Sequence, residues 1–120
     1  MLLAVFAPAK EMILTCLVLI AVDLITGIMA AKKTGQPITS AGIRRTISKV
    51  FIYETAIMLG FLTQKFLLAD SVPVTNMIAG VIGLTELTSV LENMNRIQGD
   101  NVLKSIIDKI GSTNDNKPKE

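Results

Sequence analysis

Three blocks of apolar residues, at about positions 12–31, 50–68 and 74–95, decide what this chain can fold into. The first is about as long as a helix must be to cross ~30 Å of hydrocarbon at ~1.5 Å per residue. Its only charge is Asp23, and Lys32 and Lys33 close it. Thr34, Gly35, Gln36 and Pro37 then give turn chemistry in which a helix cannot continue. The composition agrees. Half of the 120 residues are hydrophobic and only 18% are charged, against about a quarter in an ordinary soluble domain. With four Phe, one Tyr and no Trp, the apolar surplus is aliphatic. Aliphatic blocks of this length read as lipid-facing helices rather than as a globular interior.

Composition also narrows the chemistry. The single cysteine, Cys16, excludes an internal disulfide and reads as a small hydrophobe inside the first block. The absence of His removes the commonest metal ligand and general base. No nucleophile, metal site or phosphate-binding glycine spacing stands out, so the reading is of a protein that is not an enzyme and needs no cofactor. A net charge of +2 gives no reason to expect a nucleic-acid partner. Residues 2–6 lack a preceding basic residue and are followed by Pro8, so they do not read as a cleavable signal; residues 12–31 serve as an uncleaved insertion signal instead.

The fold expected is all-α: an integral membrane protein with about three transmembrane helices, a short amphipathic C-terminal helix and a polar tail. The helices are predicted near 12–31, 40–68, 74–95 and 101–110, as one membrane-embedded domain over 1–111, with a disordered tail over 112–120. Thr39 or Ser40 caps the second helix, and Asp100 or Asn101 caps the last, which has Gly111 just past its end. Residues 74–95 form the weakest span, because Glu86, Thr88, Ser89, Glu92 and Asn93 crowd its second half. The last helix, carrying Val102, Leu103, Ile106, Ile107 and Ile110 on one face, is too short to cross and should lie on the membrane or on a neighbour. Basic residues concentrate in the first loop, as the interface collar Lys32, Lys33, Arg44, Arg45 and Lys49, and in the C-terminal segment. Three crossings put both regions on one side, which the positive-inside rule makes cytoplasmic, with the N-terminus outside.

Each block holds one acidic residue: Asp23, Glu54 and Glu86. A carboxylate at mid-membrane costs roughly 2.5–3.5 kcal/mol, so it rarely faces lipid. At 100° per residue, Cys16, Asp23, Thr26, Gly27 and Ala30 share one face of the first helix, and Thr75, Ala79, Gly83, Glu86, Ser89 and Asn93 share one face of the third. Such small-and-polar stripes pack against other helices and line water after assembly, or else hydrogen-bond within a static bundle. Glu54, close to Arg44, Arg45 and Lys49, reads as half of a plain surface ion pair.

Three motifs resemble those of a known family. The run Asp23-Leu24-Ile25-Thr26-Gly27, followed by Ala30, Ala31 and a basic pair, is similar to the first-helix signature of the bacteriophage holin family, which includes clostridial toxin-secretion holins. Ser40-Ala41-Gly42 with Arg44, Arg45 and Lys49 resembles its linker, and Glu86-Leu87-Thr88-Ser89 through Glu92-Asn93, with Gly99 beyond, resembles its late motif. Asp100-Asn101 stands where the family usually has Pro, and residues 2–6 match none of these motifs. The resemblance implies a phage-encoded homo-oligomer in the bilayer of the bacterial host's cytoplasmic membrane. It would open lesions that serve a cell-wall hydrolase, an endolysin, without necessarily touching it. The competing reading is a membrane anchor or structural subunit of a larger assembly that forms no pore. A soluble bundle, a third reading, would need no detergent for extraction.

Overall fold

The architecture follows from where the chain is forced to turn. The computed structural model describes residues 2–99 and 101–114, and every regular element among them is helical. A first short helix, α1 (Leu2–Val5), leads through a 3₁₀ turn at Ala7–Ala9, with Pro8 in its first turn, into α2 (Lys10–Lys33). That helix ends where Gly35 takes a left-handed φ of 70° and Gln36 N–H returns to Ala31 O at 2.9 Å. Lys32 and Lys33 occupy its last turn, where cations complement the helix dipole. The next helix, α3 (Ser40–Leu62), starts at Thr39, whose extended backbone lets Oγ1 accept from Gly42 N–H at 3.4 Å.

At its far end α3 widens into a π turn over Thr63–Leu67, and the chain reverses through Ala69 and Asp70, both at positive φ. Gln64 braces this reversal from both sides, donating to Asp70 Oδ1 at 3.1 Å and accepting from Thr75 N–H at 3.0 Å. The latter bond satisfies one of the free amides at the start of α4 (Val74–Gln98). Gly99, at φ 75°, closes α4 with its N–H on Asn95 O. Then α5 (Val102–Asn114) begins under two side-chain caps: Asn95 Oδ1 accepts from Val102 N–H, and Asn101 Oδ1 from Lys104 N–H.

Most expected boundaries lie within a few residues of these. The last helix differs most: Gly111 lies inside it, and Ser112–Asn114 of the expected tail are helical. The rest of that tail and Asp100, one of two candidate caps, lie outside the described residues; Asn101 does the capping.

Three helical stretches, Ala7–Lys33, Ser40–Leu67 and Val74–Gln98, are long and apolar enough to cross a membrane. The third manages this because its hydroxyls turn back on their own helix, Thr85 onto Val81 O and Thr88 onto Leu84 O, and because Glu86 is buried. Packing is closest between α2 and α4, with α3 leaning on both. A small apolar core of Ala9, Cys16, Ile57, Phe61 and Ile82 occupies the end where α2 begins, and Phe6 stacks obliquely on Phe61 at 5.9 Å. Gly60 is the close approach of α3 to α4: a Cβ there would sit 2.6 Å from Ile78 Cδ1. Many more large apolar side chains face outward than inward, among them Val18, Ile25, Phe51, Ile52, Leu59, Met77, Val81 and Leu84. The α5 helix projects from the bundle with almost every described residue exposed, and the molecule measures 55 × 52 × 17 Å.

Candidate functional site

Above the apolar core, toward the end carrying the basic residues, the three long helices are joined by one ammonium group. Lys49 Nζ of α3 donates to Asp23 Oδ2 of α2 at 2.8 Å and to Glu86 Oε2 of α4 at 3.1 Å. Lys49 lies nine residues past the start of α3 and Asp23 ten before the end of α2. At ~1.5 Å per residue the cluster is about 15 Å inside the bundle, half of a ~30 Å hydrocarbon layer. Glu86 is fully buried. Tyr53, one turn beyond Lys49 on α3, lies beside it.

Asn93 completes the arrangement from α4. Its Nδ2 donates to Asp23 Oδ1 at 3.0 Å, to Asp23 O at 3.2 Å and to Thr26 Oγ1 at 3.1 Å. The Thr26 hydroxyl in turn donates to Val22 O, so it presents a lone pair to the amide. Gly27 lies beside this amide, where a Cβ would make only an ordinary contact, 3.5 Å from Asn93 Nδ2. Both Asp23 oxygens are thus engaged, whereas Glu86 Oε1 is buried and, among the described residues, has no hydrogen-bond partner.

The cluster floors a cavity of about 530 Å³ that is bounded by α2, α3, α4 and residues 36–39. Asp23, Gly27, Ser89 and Asn93 all line it, together with Lys49 and Arg45. The expected polar stripes on the first and third spans are therefore brought face to face over much of their length. Ala79 and Gly83 belong elsewhere, in a smaller apolar groove of about 200 Å³ between α2 and α4, with Cys16 and Leu19. Ala30 is buried, its carbonyl accepting from the Thr34 hydroxyl.

Two expectations need correcting. Lys49 does not sit with the exposed collar of Lys32, Lys33, Arg44 and Arg45 but turns inward. Helical geometry separates it from Arg44, which is rotated about 140° away; Arg45 shares the face of Lys49 but stands one turn nearer the start of α3, at the exposed mouth of the same cavity. Glu54 forms no surface ion pair. Both its carboxylate oxygens are buried and, among the described residues, unpartnered. Its expected cations are Arg44 and Arg45, which are exposed, and Lys49, which is taken by Asp23 and Glu86. Sequence reasoning also passed over Gly60 and Tyr53. An i, i+4 series of polar residues, Arg45, Lys49 and Tyr53, was the available signal for the inward face of α3.

No curated protein and no solved structure matches the chain. A family model does, that of the bacteriophage holin family, and it matches residues 1–115. That span takes in the first residues, which none of the sequence motifs reached, and all three helices that meet at Lys49. With so nearly the whole of it matched, the chain belongs to the bacteriophage holin family.

Proposed function

We propose that this protein is a holin that accumulates in the cytoplasmic membrane of a bacterial host, oligomerises there and permeabilises the membrane so that an endolysin reaches the cell wall. The observation that carries the reading is Lys49 held between Asp23 and Glu86 at mid-depth. A buried ion cluster is a poor way to stabilise a bundle, since well-packed apolar residues of similar volume are often equal or better by about 1–4 kcal/mol. In a membrane the expense of burying charge is better understood as holding a state that can be released. One ammonium ties all three spans, so moving it away from the two carboxylates releases the polar link of α3 to α2 and to α4 together, leaving the apolar contacts of Ile57, Phe61 and Gly60. The cluster then keeps the single protomer closed, and the outward apolar faces of α3 and α4 meet other copies as they accumulate. Opening would expose Asp23, Thr26, Ser89, Glu86 and Asn93 to water along a lesion. Both basic regions would face the cytoplasm and the N-terminus the outside. The endolysin need not touch the protein.

The test is induction in a bacterium while membrane potential and viability are followed, with and without a co-expressed cytosolic muralytic enzyme. Abrupt depolarisation followed by enzyme-dependent lysis is expected. Accumulation in the membrane with potential and growth intact would overturn the reading in favour of a sealed anchoring subunit.

A further inference from the structure

We propose that the cavity at the basic end of the bundle binds the headgroup of an anionic membrane phospholipid, its phosphate held between Arg45 of α3 and Arg96 of α4. The two arginines come from different helices and line the same space of about 530 Å³. Among the described residues the Arg45 side chain has no ion pair or hydrogen bond, and the Arg96 side chain donates only to the neutral Gln36 Oε1 at 2.7 Å. Of the acidic residues in the wall, Asp23 is taken by Lys49 and Asn93. Glu92 stands one turn before Arg96 but forms no ion pair within 4.0 Å among the described residues. The mouth therefore offers two planar forks suited to a phosphate with little internal competition.

The depth also fits a lipid. Arg45 lies one turn nearer the start of α3 than Lys49, and Arg96 two residues before the end of α4, and the long arginine stems reach from there toward the headgroups. Around the arginines the wall also carries the apolar side chains Leu24 and Ile28 of α2 and Ile43 of α3, and this lining suits glycerol and the first acyl carbons but offers nothing to free phosphate. Basic pockets between membrane helices are recognised sites for such headgroups, and the exposed Lys32, Lys33 and Arg44 nearby would enrich anionic lipid at the mouth. The inference needs the membrane-spanning arrangement but not lesion formation.

The full chain, purified in detergent, is offered phosphatidylglycerol or phosphatidylcholine, and retained lipid is read by native mass spectrometry. One phosphatidylglycerol per protomer is expected to be retained roughly tenfold over phosphatidylcholine. That preference should fall in R45Q and in R96Q, nearly vanish in R45Q/R96Q, persist in R44Q, and survive excess inorganic phosphate; matching circular dichroism establishes that the variants are folded. Equal retention of the two lipids, or an R44Q loss as large as that of the double variant, would overturn the proposal. Displacement by inorganic phosphate would do so as well, because it marks a site for the free anion.

Discussion

Replacing Lys49 by Gln removes the one cation that, among the described residues, stands between Asp23 and Glu86, and leaves two carboxylates facing a neutral amide. Taking one partner out of a buried ion pair costs about 3–5 kcal/mol. Lys49 and Asp23 retain 22% and 18% of their side-chain exposure, so the lower end applies. About 3 kcal/mol corresponds to a roughly 150-fold shift between the closed protomer and any state in which the three spans separate. K49Q is therefore expected to depolarise cells markedly earlier than the parent protein. The assay is a potential-sensitive dye followed from induction, at membrane levels matched by quantitative blotting. A neutral control isolates the charge: K49Q/D23N/E86Q keeps near-isosteric side chains without any ion, and its onset should return toward that of the parent. Parental timing for K49Q at matched levels would refute the reasoning. So would equally early onset in the triple variant, because packing rather than charge would then hold the spans.

Exchanging Asp23 and Glu86 together for Asn and Gln should also move the time of lysis, since Lys49 then lies at mid-depth with no counter-ion; unchanged timing removes the basis for a charge-held closed state. Asn93→Ala deletes three contacts between α4 and α2 and is expected to lower thermal stability in detergent by about 1–3 kcal/mol. Glu54→Met should raise it by about 1–3 kcal/mol, because both carboxylate oxygens are buried and, among the described residues, unpartnered; a fall would mean that Glu54 is engaged in the protein as purified. Gly60→Ala should destabilise by about 1–3 kcal/mol through its 2.6 Å encounter with Ile78 Cδ1, and adding Ile78→Val, which removes that atom, should recover most of the loss.

Periodicity and turn chemistry were enough to place the helices, since Pro37, Thr39, Pro73 and Gly99 stop or start them for reasons local to the backbone. The inward faces of α2 and α4 were legible for a related reason: carboxylates in apolar blocks must turn away from lipid, and Asp23, Thr26, Glu86 and Asn93 lie where that requirement puts them. Lys49 was harder to read, because a lysine near a helix end can snorkel to headgroups as easily as it can turn inward. Only the face it shares with Arg45 and Tyr53 distinguishes the two outcomes. Glu54 and Gly60 depend on which side of α3 meets its neighbours, and that is set by tertiary packing rather than by any local pattern. On the small-and-polar stripes a Cβ at Gly27 or Gly83 would meet only ordinary contacts at 3.5 and 3.8 Å, unlike the tight approach at Gly60.

The outward reach of α5 bears on how densely copies can gather. Thirteen residues of helix extend about 20 Å, twice the ~10 Å breadth of a helix with its side chains, and they leave the bundle at one end only. A protomer is thus slender through the hydrocarbon and broad on a single face. In the proposed assembly, copies brought together by their spans would run out of room on that face first, unless neighbouring arms align or point the same way round. Crowding on one leaflet would then make the protomer a wedge rather than a cylinder, and a growing patch of copies would favour a curved sheet over a flat one.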